Sequence, residues 1–118
     1  MKKVIAVDFD GTLCTNNWPE VGVSQTVHKL LISSLIMAHR KGHIIILWTC
    51  REDTEDRKYL AEALEYCKKN NIPIDYVNEA PPEMKKLWGN DPRKICADVY
   101  IDDRSININY IIEMLDFE

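Results

Sequence analysis

Two carboxylates at i and i+2, Asp8 and Asp10, close an apolar run and are followed directly by Gly11 and Thr12. Held that close, two carboxylates repel each other unless a proton or a cation lies between them. The pair therefore points to a divalent metal, or to a nucleophilic aspartate with an acid beside it. A strand ending in an ordinary Asp-Gly turn is the plain alternative. A calcium loop is excluded. Its sixth position requires Gly and holds Leu13, its twelfth requires Glu and holds Pro19, and no helix precedes it.

For Asp8 to do chemistry, the run before it must be a strand. Residues 4–7 are apolar throughout, as expected of a strand buried on both faces of a parallel sheet. Asp8 then stands at the carboxyl end, where open parallel sheets place their ligands. Gly11 admits the backbone angles that would turn Asp10 back toward it. A second apolar strand, residues 43–49, ends on Thr49, with Cys50 and Arg51 next. A third and shorter strand covers 72–77. A fourth, 97–101, runs into Asp102, Asp103 and Arg104.

Helical patterns separate these strands. Ser24 predicts the N-cap of a first helix, with Val27, Leu30, Leu31, Leu35, Met37 and Ala38 as its apolar positions and Gly42 as its stop. A second helix is expected from Asp53 or Thr54, with Leu60, Leu64 and Cys67 inward and residues 68–71 at its end. Residues 83–88 suit one helical turn within an irregular stretch from 78 to 92. The tail, 106–118, is amphipathic through Ile108, Ile111, Ile112 and Leu115. Residues 14–23 are irregular and follow Asp10, so they predict a small flap in which Trp18 is a lid residue or plain packing.

This order predicts an α/β fold of one domain, residues 1–118: a three-layer, doubly wound parallel sheet with helices on both faces. Parallel strands point the same way, so Asp8, Thr49 and Asp102 emerge on one edge. One strand ending in a polar residue is unremarkable; three of four ending in Asp, Thr and Asp-Asp is a constellation.

The bulk numbers narrow the classes. A chain of 118 residues, 46% apolar and 29% charged, has an ordinary globular composition. A net charge of −4 argues against a broad nucleic-acid or anionic-membrane surface but leaves small phosphorylated substrates open. No apolar run approaches the roughly 20 residues of a membrane span, and the apolar start is too short for a signal peptide. Cys14, Cys50, Cys67 and Cys96 form no Cys-x-x-Cys pair, which argues against zinc and fits reduced thiols in the cytoplasm, each read as a packing residue. His28, His39 and His43 are scattered and take no chemical role.

Asp8-Phe9-Asp10-Gly11-Thr12, Thr49 after the second strand and Asp102-Asp103 after the fourth resemble the motifs of the haloacid dehalogenase (HAD) superfamily, in order and along the whole chain. Asp at position 10 resembles the phosphatase and phosphotransferase branches. The resemblance implies a Mg²⁺-dependent phosphomonoester hydrolase. Asp8 would form an aspartyl-phosphate, Asp10 would act as general acid and then base, and Thr49 would donate to a phosphoryl oxygen. Gly11 and Thr12 would line the substrate. Asp8, Asp102 and the main-chain carbonyl of Asp10 would hold Mg²⁺, with Asp103 direct or through water. The phosphate-site lysine is Lys94 by pattern, provided the chain bends back sharply near residues 92–97; Lys85 and Lys86 are the alternatives. Arg51 and Arg104 either contact the substrate or are surface arginines paired with nearby acids. The chain has no room for a large cap, so the site would be open, suited to a bulky phosphate or to completion by a second copy of the chain.

Two other classes compete. A receiver domain shares the inventory of acids, Thr and Lys, but it carries its acceptor Asp after the third strand, where this chain has Asn78. A HAD-like module that binds a phosphorylated ligand or partner without turning it over is the second alternative.

Overall fold

The computed structural model describes residues 2–89, 95 and 97–103. Lys94, Arg104 and the tail 106–118 lie outside the described residues. Among the described residues four strands, β1 (Val4–Val7), β2 (Ile44–Leu47), β3 (Tyr76–Val77) and β4 (Val99–Ile101), form one sheet in the order β3-β2-β1-β4, and every neighbouring pair is parallel. The α/β class and the parallel sheet are as expected. The first strand spans the expected residues 4–7, and the other three are shorter than the apolar runs that announced them. The two central strands are equally dry, with Ile5, Ala6 and Val7 of β1 and Ile45, Ile46 and Leu47 of β2 all fully buried.

Among the described residues three helices accompany the sheet: α1 (Thr26–Arg40), α2 (Tyr59–Lys69) and α3 (Pro82–Trp88). Ile5, Val7, Ile45, Leu47, Val99 and Ile101 form one cluster with Leu31, Ile32, Leu35 and Ala38 of α1 and Ala63 and Cys67 of α2. Ala6 and Ile46 alternate to the other side, where Ala80, Ile95 and Met84 of α3 cover them. Among the described residues no helix is long and apolar enough to cross a membrane.

Two helix starts differ from expectation. The N-cap of α1 is Gln25, whose N–H donates to His28 Nδ1 at 3.0 Å, while the Ser24 hydroxyl pairs with the Tyr66 hydroxyl. The buried face is accordingly His28, Leu31, Ile32, Leu35 and Ala38, leaving Val27, Leu30 and Met37 exposed. This helix has apolar residues on more than one face, so periodicity alone could not choose its phase. The second helix begins at Tyr59 rather than Asp53, because residues 52–58 are polar all round and have no face to bury. Asp53 still serves it from outside, accepting a hydrogen bond from the Ala61 N–H at 3.0 Å.

The segment 14–23 is irregular, as expected, but tied down. Its neck is closed by Thr15 N–H to the Val23 carbonyl at 3.0 Å and Val23 N–H to Thr15 Oγ1 at 2.9 Å. Gly22 passes so close that an added Cβ would lie 1.9 Å from the Thr15 carbonyl oxygen. Gly22→Ala should therefore lower stability by about 1–3 kcal/mol, since backbone must move to admit the methyl; a denaturant titration checks it. An unchanged midpoint would show that the neck is looser than drawn.

Candidate functional site at the carboxyl edge of the sheet

The hydrogen-bond ladder carries the three chemistry-bearing strand ends to the same edge. Asp8 N–H donates to the Ile101 carbonyl and Trp48 N–H to the Val7 carbonyl, each at 2.9 Å. Beyond that point Asp8, Trp48, Thr49, Cys50, Asp102 and Asp103 line one open cleft. The expected convergence of Asp8, Thr49, Asp102 and Asp103 is thus present.

Asp8 is oriented from its own turn, where Oδ1 accepts from the Phe9 N–H at 2.8 Å. Burial pushes its carboxyl above the usual carboxylate range, opposed by that amide, and the neighbouring Asp103, Asp10 and Asp102 charges push it further. Gly11, at φ +79°, lets the first acidic turn approach the last, since a Cβ there would meet Asp103 Cβ at 3.1 Å. Thr49 is held on both sides: its N–H donates to Asn78 Oδ1 at 2.8 Å, and its hydroxyl accepts from the Arg51 N–H at 3.1 Å. Asn78, in the left-handed region at φ 52°, ends β3 by donating its own N–H to the Leu47 carbonyl.

Asp10 points elsewhere than expected. Its carboxylate faces Arg51, which grips it with two hydrogen bonds, Nε to Oδ2 at 2.9 Å and an Nη to Oδ1 at 2.7 Å. Arg51 also donates to the Tyr59 and Glu20 carbonyls, at 3.2 and 3.1 Å, and its guanidinium lies between the Phe9 and Trp18 rings. Neither earlier option for Arg51 holds in full. It pairs with a nearby acid, but as one of the most buried side chains of the protein, 1% exposed, rather than on the surface. A long cation this dry must have its donors engaged by protein acceptors, and four of its five N–H groups are. Thr12 also departs from expectation: it is fully buried, its hydroxyl finds no partner among the described residues, and it does not line the cleft.

Of the candidate lysines, Lys85 donates to Glu79 at 2.9 Å, and neither Lys85 nor Lys86 lines the cleft. Cys14 and Cys67 are buried with their thiols pushed up, Cys67 to about 12, by burial. Cys50 is exposed in the cleft, against the expectation of a packing residue. Three contributors were not singled out from the sequence: Asn78, which positions Thr49, Trp48, which walls the cleft, and Arg57. Arg57 makes paired bonds to Glu20 of the flap and Glu62 of α2 at 2.8–3.0 Å, holding both below the usual carboxylate range. The Asn after β3 was the one visible signal.

Among the described residues no three His, Cys, Asp or Glu side chains form a ready-made metal cluster. Mg²⁺ does not need one, because it keeps several waters and binds through one or two carboxylates plus a substrate phosphate. The carboxylate crowding around Asp8 is the kind of donor set that such an ion relieves.

These features define a parallel-sheet α/β protein of Rossmann-like form with an acidic cleft at the carboxyl edge. A conserved protein encoded by a Bacteroides thetaiotaomicron locus has a solved structure that matches with a TM-score of 0.76 and 31% identity, over 98% of this chain and 90% of that one. The chain belongs to the same family as that protein. No protein-family model matches the chain, and no curated protein does.

Proposed function

We propose that this protein is a Mg²⁺-dependent phosphomonoester hydrolase of the HAD type, working through an aspartyl-phosphate on Asp8. One observation carries the reading: three parallel strand ends deliver Asp8, Thr49 and the Asp102-Asp103 pair to one cleft. In this reading the sheet is doubly wound. The chain steps from β1 to β2 to β3 with α1 and α2 on one face, then crosses to the far side of β1 with α3 on the other. A reversal at β1 opens a crevice at its carboxyl end, beside Asp8.

The chemistry follows from the residues. Asp8 attacks phosphorus as the ester oxygen leaves with its electron pair, and Asp10 supplies the proton. Asp10 then takes a proton from the water that attacks phosphorus, releasing inorganic phosphate and restoring Asp8. Both Asp10 oxygens are engaged by Arg51, so one of those bonds must yield for each proton transfer. Thr49, its main-chain amide already held by Asn78, offers its hydroxyl hydrogen to a phosphoryl oxygen. Asp8, Asp102, Asp103 and the Asp10 carbonyl would hold Mg²⁺, which when bound offsets the repulsion between an anionic nucleophile and an anionic phosphate. The phosphate-site lysine in this proposal is Lys94. Reduced Cys14, Cys50 and Cys67 suit a cytoplasmic setting.

Hydrolysis of p-nitrophenyl phosphate tests the reading. Turnover that requires Mg²⁺ and stops in EDTA is expected. A folded protein that turns over no phosphate ester, but binds one in this cleft, would move the assignment to a phospho-ligand-binding module.

A further inference from the structure

A second concavity adjoins the cleft. It is lined by Asp10, Asn16, Trp18, Cys50 and Arg51, and it shares Cys50 with the cleft that holds Asp8. Trp18 is 54% exposed although it carries two aromatic-type contacts, the Tyr59 ring at 5.0 Å and the Arg51 guanidinium at 4.9 Å. A large apolar ring that is anchored on its neighbours and still half open is a surface prepared for contact.

We infer that this concavity receives the leaving group, and that the preferred substrates are phosphate monoesters of planar aromatic groups, an aryl alcohol or a nucleoside. This rests on the phosphatase reading, in which attack by Asp8 expels the ester oxygen toward the acid, Asp10. Asp10 lines this second concavity, so what is attached to that oxygen lies beside Trp18. The lining also speaks against an anionic leaving group. Arg51 is the cation there, but its charge is paired with Asp10 and four of its five N–H groups are taken by Asp10 and two main-chain carbonyls, so it has little left to offer a second phosphate or a carboxylate. A planar ring needs only an apolar face and an amide, which Trp18 and Asn16 provide.

The test compares kcat/KM for phenyl phosphate, 5′-AMP and glycerol phosphate in the wild type, Trp18→Ala and Trp18→Phe, with 5′-AMP and ribose 5-phosphate binding measured by calorimetry in parallel. Trp18→Ala should lower the ratio of a ring-bearing substrate to glycerol phosphate about tenfold, in line with loss of one stacking contact. Trp18→Phe should keep most of that ratio. The ring that suffers more, phenyl or adenine, says how far from the ester oxygen the contact lies. A ratio unmoved by Trp18→Ala, with all three substrates falling together, would overturn the inference and leave Trp18 a packing residue of the flap. If no ester is hydrolysed at all, the phosphatase reading fails separately. The subsite then stands on tighter binding of 5′-AMP than ribose 5-phosphate that Trp18→Ala removes, and falls if the two bind alike.

Discussion

Asp8→Asn should lower turnover by at least about ten-thousandfold, the scale on which enzymes lose activity with their nucleophile, while the fold survives. The two effects should separate further, because the same change should raise stability. Burial and three neighbouring carboxylates hold the Asp8 carboxyl above its usual value of 3.8, so the folded state binds the proton more tightly than the unfolded chain does. That contribution is fully present below pH 3.8 and is lost as pH rises through the folded value, leaving an ionised Asp8 as a cost at neutral pH. An Asn carries no such cost. In metal-free buffer at pH 7 the variant should melt above the wild type, and the difference should close below pH 3.8. Thermal melts across pH, with and without Mg²⁺, check both parts, since Mg²⁺ should favour the wild type. Turnover that survived the substitution would remove Asp8 as nucleophile. A variant that melted lower at pH 7 would show that the carboxylate crowding is not what it has been taken for.

The largest stability effect should come from Arg51→Ala, a loss of about 3–5 kcal/mol, the range for breaking a buried ion pair by removing one partner. The Arg51 side chain is fully buried and that of Asp10 is 20% exposed, so truncation strands a carboxylate with little water. It also leaves the Tyr59 and Glu20 carbonyls without their donor and unstacks the Phe9 and Trp18 rings. Arg51→Lys should recover little, because an ammonium cannot span both Asp10 oxygens and two carbonyls at once. Pairing Arg51→Met with Asp10→Asn should recover a substantial part, since no buried charge then stands alone. Urea titrations of the three variants decide the matter, and a loss under about 1 kcal/mol in Arg51→Ala would rule out the clamp.

These two residues also mark how far the sequence could be read. Asp8 was legible because its signal is local: an apolar run long enough for a strand, a carboxylate at its end, and a glycine that admits φ +79°. The same holds for Thr49 and Asp102, whose meeting needed only that the strands be parallel. Arg51 was not legible. Its position after Thr49 was visible, but its partners, Asp10, Glu20 and Tyr59, come from segments up to 41 residues away. Helix boundaries failed for a related reason. Ser24 is as good an N-cap as Gln25 until Tyr66 claims its hydroxyl, and Asp53 opens no helix because residues 52–58 have nothing apolar to bury.

By itself, then, the sequence determined the class of fold and the edge on which its acidic residues gather, because strand burial and chain direction follow from local patterns of apolar and polar residues. Only the tertiary structure decided which way Asp10 faces, that Thr12 is buried, and that Trp18 stands open beside the cleft. Those outcomes depend on which distant groups compete for each hydrogen bond and each patch of apolar surface, and no local pattern records that competition.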